Sequence, residues 1–297
     1  MLESWIFWSL LAALMQSVRT AGQKYLTAHI SALGATLVRY LFGLPFVVAY
    51  LVWLVHRSGV PVPVLNKTFL ICAIVAGFLQ IVATILLIRL FSMRNFAVGS
   101  NYVRGEIMFT ALIGAVVFGE LVSMLGWLAI SISFAGLLVI SLGNTGKLKS
   151  MWNRSAAYGL SAGLAFSLTS LLIRKGSLSL GIDNAMLSAA ITLTFMVALQ
   201  TVITLVWVSV KNAGELRTIF QHWRPSLFVG ITSVIGSVGW FTAFTLEKAA
   251  YVKTLGQIEF LSTLLIAIFY FKERPSKSEI VGMLLIVLGV IILLQSN

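Results

Sequence analysis

The residues of this chain with the most chemical potential are acids and bases set inside apolar stretches. In NYVRGEIMFTALIGAVVFGE (101–120), Glu106 lies about ten residues into an apolar run that starts near residue 96. Glu259 holds the same place in a run starting near 250. At 1.5 Å per helical residue, each carboxylate is about 15 Å inside its run. An ionised side chain at the centre of a bilayer costs at least about 2.5 kcal/mol on insertion scales, so such groups face cavities, pair with one another or handle ions. Proton or cation handling is the chemistry expected of Glu106 and Glu259. A purely structural hydrogen bond between helices is the alternative.

Helical spacing extends each site, because residues three and four apart share a face. Glu106 stacks with Tyr102 and Thr110, and Glu259 with Thr263. Arg104 lies two positions from Glu106, about 200° around a 3.6-residue helix, so it must reach a neighbouring helix or another part of a cavity. Arg39 and Lys253 are further cations inside apolar runs, as are Arg19 and Arg89. Arg89 is close enough to a helix end to snorkel, while Arg19 and Arg39 are balanced between snorkelling and lining. Gln16, Gln80 and Trp240 add polar groups on helical stripes, and hydrogen bonding between helices explains these as well as ligand contact does. The candidate substrate- or proton-binding set is Glu106, Glu259, Arg104, Tyr102, Thr110, Thr263, Trp240, Arg39, Gln16, Gln80 and Lys253. No catalytic or metal-ligating set is expected, and no cofactor.

The elements that must position these groups are read from composition. Of 297 residues, 59% are hydrophobic and 10% charged, where a soluble domain is nearer a quarter charged. An apolar run of about 20 residues spans a bilayer. Ten such runs are predicted, at 4–24, 32–55, 68–91, 96–118, 122–142, 155–175, 184–210, 226–246, 250–271 and 278–295. They are too long and unalternating for barrel strands, so an all-α bundle is expected. The connections are short; 57–67, 143–154 and 211–224 are the longest. A net charge of +12 could suggest nucleic acid, but the cations fall mostly between apolar runs, where anionic headgroups explain them; membrane lipid, not nucleic acid, is the expected partner. One cysteine, Cys72, excludes an internal disulfide.

The chain repeats itself. An offset of 153 (259 minus 106) sets AVGSNYVRGEIMFTALIGAVVFGE on AYVKTLGQIEFLSTLLIAIFYFKE, matching Glu106 to Glu259, Thr110 to Thr263 and Glu120 to Glu273. Gly77 meets Gly230 and Gly136 meets Gly289 at the same offset. The expected organisation is a five-helix unit over 1–143, a linker over 144–154 and a second unit over 155–297. Five is odd, so the second copy must enter the membrane from the opposite side. That makes an inverted repeat around a central cavity, a construction of secondary transporters.

VRYLFGLPFVV (38–48), VVFGE before a glycine-bearing helix (116–143) and FYFKERPSKSEIVGMLLIVLGVII (269–292) resemble the EamA branch of the drug/metabolite transporter superfamily. The resemblance covers essentially the whole chain. It implies ten helices around a cavity, a bacterial inner-membrane location, cytoplasmic termini, and export or uptake of small metabolites. Many members have proline inside helices 4 and 9, where this chain has Glu106 and Glu259. Loop charges argue against the implied orientation: odd-numbered loops carry eleven Lys and Arg against five in even loops, which favours external termini.

The reading is a monomeric secondary carrier for a small metabolite, an amino acid or similar zwitterion, coupled to protons. Paired glutamates suit a cation, a zwitterion or protons, whereas Arg39, Arg104 and Lys253 suit a carboxylate or phosphate. The alternative is an exporter of lipophilic organic cations stacked on Trp and Phe. An enzyme lacks support, since His29, His56 and His222 lie far apart in sequence and no H-E-x-x-H or phosphate loop occurs. A channel would need equivalent rings of groups.

Overall fold

The computed structural model describes residues 4–61, 63–90, 103–145, 154–259 and 276–295. Among them every regular element is an α-helix. In chain order these are α1 (Trp5–Leu26), α2 (Ala32–Leu41), α3 (Leu44–Ser58), α4 (Lys67–Leu90), α5 (Glu106–Val117) and α6 (Met124–Thr145), followed by α7 (Arg154–Ser179), α8 (Ala185–Asn212), α9 (Gly214–Gln221), α10 (Trp223–Leu246), α11 (Ala249–Gly256) and α12 (Lys277–Gln295). Seven spans among the described residues are long and apolar enough to cross a membrane: α2 with α3, α4, α6, α7, α8, α10 and α12. α5 is shorter, at 12 residues, and α1 is 22 residues long with a polar stripe of Gln16, Arg19, Thr20 and Gln23. Exposed Phe7, Trp53, Ile71, Phe78, Val202 and Leu284 coat the outer surface with apolar groups suited to lipid.

The second span is interrupted by a turn at Phe42 and Gly43, between the end of α2 at Leu41 and the start of α3 at Leu44. Pro45 in the first turn of α3 has no N–H to donate back into α2, and its fixed φ suits a helix start. A Cβ on Gly43 would meet Arg39 O and Val234, so the bare glycine lets this turn pass close to α10.

Helix packing reproduces the sequence repeat. The most extensive pairs are α6 with α12, α4 with α7, and α1 with α10. Exchanging the two units turns α4–α7 into α10–α1 and returns α6–α12 to itself. The contacts of α5 with α7 and of α11 with α1 exchange in the same way, as do α4 with α8 and α10 with α2. Repeat-matched glycines sit at matched seams. Gly136 and Gly289 lie in the α6–α12 contact, against Gly282 and Ala129 respectively. Gly77 faces Leu199 of α8, and Gly230 faces Phe42 between α2 and α3.

Two features depart from the expected spans. Residues 211–224, read as a loop, are helical over most of their length: α8 extends to Asn212 and α9 follows. Ile219 of α9 is fully buried and Glu215 nearly so, which ties this short helix to the body; α9 packs on α2, α8 and α10. The fourth and ninth spans are also interrupted. Arg104 and Gly105 form a turn before α5, and Gln257 and Ile258 form a turn after α11. Glu106 and Glu259 each follow directly on such a turn.

Candidate functional site

The interruptions determine how the two acids are held. Glu106 is in the first turn of α5, where free backbone N–H groups and the helix dipole favour negative charge. Its Oε2 pairs with Lys253 Nζ of α11 at 3.1 Å, the Glu106 and Lys253 side chains being 11% and 9% exposed. Glu259 receives a hydrogen bond from Gln16 Nε2 of α1 at 3.0 Å and lies 3.9 Å from Arg104 in an ion pair. Each carboxylate is therefore matched by a cation from the opposite repeat unit. This also settles where Arg104 reaches: across to Glu259, not along its own helix to Glu106.

Behind these pairs lies a narrow cavity at the seam of the two units. Gln16 and Arg19 of α1, Arg39 of α2 and Gln80 of α4 line it from the first unit. From the second come Phe166, Thr169, Ser170 and Ile173 of α7, Ser237, Trp240, Phe241 and Phe244 of α10, and Lys253 of α11. Lys253 Nζ is 4.9 Å from the Trp240 ring centre, 5.6 Å from Phe244 and 5.8 Å from Phe166. Its ammonium thus fills an aromatic box while keeping its carboxylate partner. Trp240 Nε1 donates to Gln16 Oε1 at 3.0 Å, and the ring stacks on Phe244. Gln16 therefore bridges Trp240 to Glu259. Gly256 is required beside this ring, because a Cβ there would strike Trp240.

Arg39 donates to Thr84 Oγ1 at 3.4 Å and to Ser237 Oγ at 3.3 Å, so it faces inward and does not snorkel. Gln80 accepts from Gln200 Nε2 at 2.8 Å and lines the cavity as well. Thr110 is not a lining residue: its hydroxyl donates back to Glu106 O at 2.7 Å, one turn earlier. Tyr102 and Thr263 lie outside the described residues. Arg89 is exposed, as a snorkelling cation should be. The glycines of GSVGW are packing positions, Gly236 against Met15 and Gly239 against Trp8 and Ala12.

Arg19, Phe166, Thr169, Ser170 and Phe244 belong to the cavity but were not among the sequence candidates. Arg19 had a signal, since it shares the α1 stripe with Gln16. The α7 residues had none, because their small hydroxyls read as ordinary helix packing. A second cluster closes one end of the bundle. Arg174 of α7 pairs with Glu120 at 3.2 Å and donates to Phe244 O at 2.7 Å and Glu247 O at 2.6 Å, while Ala249 N donates to Glu120 at 3.2 Å. This holds the α10–α11 junction and so the placement of Lys253. Burial pushes the Glu120 carboxyl above its usual range, against the pull of Arg174. Elsewhere, folding brings His29 and His222, distant in sequence, to ring contact at 4.4 Å. Among the described residues no group of three His, Cys, Asp or Glu could hold a metal ion.

Comparisons with known proteins agree with this architecture. A model of the EamA-like transporter family matches residues 3–142 and again 153–295. The S-adenosylmethionine uptake transporter of Rickettsia prowazekii (strain Madrid E) is 23% identical over 304 residues, covering 98% of this chain and 92% of that one. A protein of known crystal structure superposes with a TM-score of 0.69 at 14% identity, over 97% of this chain and 95% of its own.

Proposed function

The chain belongs to the EamA-like transporter family, and from that premise we propose that it is a secondary carrier for a small zwitterionic metabolite working by alternating access. It is a multi-pass membrane transporter and not an enzyme. The observation that carries the finer reading is a cavity at the seam of the two repeat units, with charged partners drawn from both. Such a seam can open to either side as one unit rocks against the other. We take the units to be residues 1–143 and 155–297, oppositely oriented, in a bacterial inner membrane.

Substrate chemistry follows from what the cavity offers. Arg19, Arg39 and Lys253 favour a carboxylate, while Gln16, Gln80, Thr169 and Ser170 offer neutral acceptors to an ammonium or similar cation. The S-adenosylmethionine handled by the Rickettsia relative is an amino-acid derivative with both kinds of group. A purely lipophilic cation suits the site less well, because it must displace Lys253 from the aromatic box against net positive charge. Proton coupling has a local route: protonating Glu106 frees Lys253, and protonating Glu259 frees Arg104 and Gln16, so occupancy and protonation compete for the same groups.

Purified protein in liposomes tests this. Preloaded unlabelled S-adenosylmethionine or amino acids should drive saturable counterflow of the labelled compound, with a rate that depends on pH. Absence of counterflow for every zwitterion tried, or an ohmic current in its place, would reject the carrier reading.

A further inference from the structure

The charges around the cavity do not balance. Among the described residues, Arg19, Arg39, Arg104 and Lys253 bring four cations, against the two carboxylates of Glu106 and Glu259. Arg104 and Lys253 have a carboxylate each. Arg19 and Arg39 remain, both lining the cavity, 4% and 6% exposed. Among the described residues, Arg39 donates to the neutral hydroxyls of Thr84 and Ser237. Arg19 Nε is buried and, among the described residues, has no hydrogen-bond partner. Arg19 lies within electrostatic reach of both Arg39 and the Glu259 carboxylate that pairs with Arg104.

A buried guanidinium with an unused donor beside a second guanidinium is costly unless something anionic joins it. Guanidinium is also the side chain best shaped for a two-oxygen ligand, because its planar fork meets a carboxylate with two parallel bonds. We propose that Arg19 and Arg39 form a carboxylate-binding subsite in the cavity, Arg19 supplying its unpartnered N–H and Arg39 the second positive charge. The subsite rests on the carrier reading only for its role: it receives the substrate's carboxylate, with the rest of the molecule directed toward Trp240 and Phe244. Neither arginine has a repeat mate of its own kind, since the 153-residue offset sets Leu172 and Thr192 opposite them. The subsite therefore belongs to the first unit alone, and a substrate bound there lies in one orientation.

The probe pair is phenylacetate and phenylacetamide, the same body with and without the charge. Thermal unfolding of the detergent-purified protein is followed while each is titrated at constant ionic strength, with inorganic phosphate as a third arm. Phenylacetate is expected to raise the midpoint and phenylacetamide to leave it unchanged. Apparent affinity for phenylacetate should fall at least ten-fold in R19Q, with R19K keeping part of it. Should R19Q not fold, the charged and uncharged probes on the wild type, with R19K and R39K, still decide the matter. Equal effects of the two probes, protection by phosphate and not by phenylacetate, or undiminished affinity in both R19K and R39K would overturn the subsite. The two readings fail separately. Anion protection that depends on Arg19 without counterflow leaves the subsite standing and removes the carrier, and counterflow indifferent to both arginines does the reverse.

Discussion

Replacing Glu106 by Gln keeps the size and hydrogen bonding of the side chain but removes the charge that faces Lys253. At 3.1 Å the pair's attraction is about 5 kcal/mol with an effective dielectric near 20. Desolvation cancels much of that in the intact pair, but loss of one partner leaves the other charge buried, at a cost of about 3–5 kcal/mol. Lys253 keeps its three aromatic neighbours, which return a fraction of this, so a loss of about 3 kcal/mol is expected for E106Q. At about 2–4 °C per kcal/mol, the midpoint should fall by roughly 6–12 °C. Adding K253M removes the stranded ammonium and puts an apolar side chain against the rings. The double variant should recover at least half of the loss, giving a positive coupling energy in the cycle. Thermal unfolding of the four proteins in one detergent measures it. An E106Q midpoint equal to wild type, or a double variant that falls by the sum of the two single losses, would show that the ion pair does not hold α5 to α11.

Other expectations follow from the same contacts. E259Q should insert and fold, because Gln16 and Arg104 can still donate to the amide oxygen, yet it should lose the pH dependence of counterflow; an unchanged pH profile in proteoliposomes would remove Glu259 from coupling. Glu120 has a raised carboxyl pKa in the folded protein. Its favourable contribution is full below the ordinary carboxylate range and is lost as pH rises through the folded value, so stability falls across that window; E120Q should flatten the slope in a pH series of unfolding midpoints. Substituting Leu at Gly289, where even a Cβ would lie 2.7 Å from Ala129 O, should separate α12 from α6 and cost about 1–3 kcal/mol or more, read as a lower midpoint.

The sequence by itself determined that this is a helical membrane protein in two related units, because apolar run length and the 153-residue repeat are properties of order along the chain. It also isolated Glu106, Glu259, Arg104 and Lys253, since an ionised group inside an apolar run is conspicuous whatever surrounds it. Partnership was not legible. That Glu106 pairs with Lys253 and Glu259 with Arg104 depends on how α5 and α11 cross between units, and a helical stripe records a direction without recording what it meets. The turns at Arg104–Gly105 and Gln257–Ile258 were hidden too, because neither carries a proline and a long apolar stretch follows each. Arg19 read equally well as a snorkelling end or a lining group; its burial beside Arg39 is decided by α10, which packs on both α1 and α2. Tertiary structure alone fixed the balance of charge in the cavity, because Coulomb energy depends on separation in space and two arginines twenty positions apart in sequence have no defined separation until the helices pack.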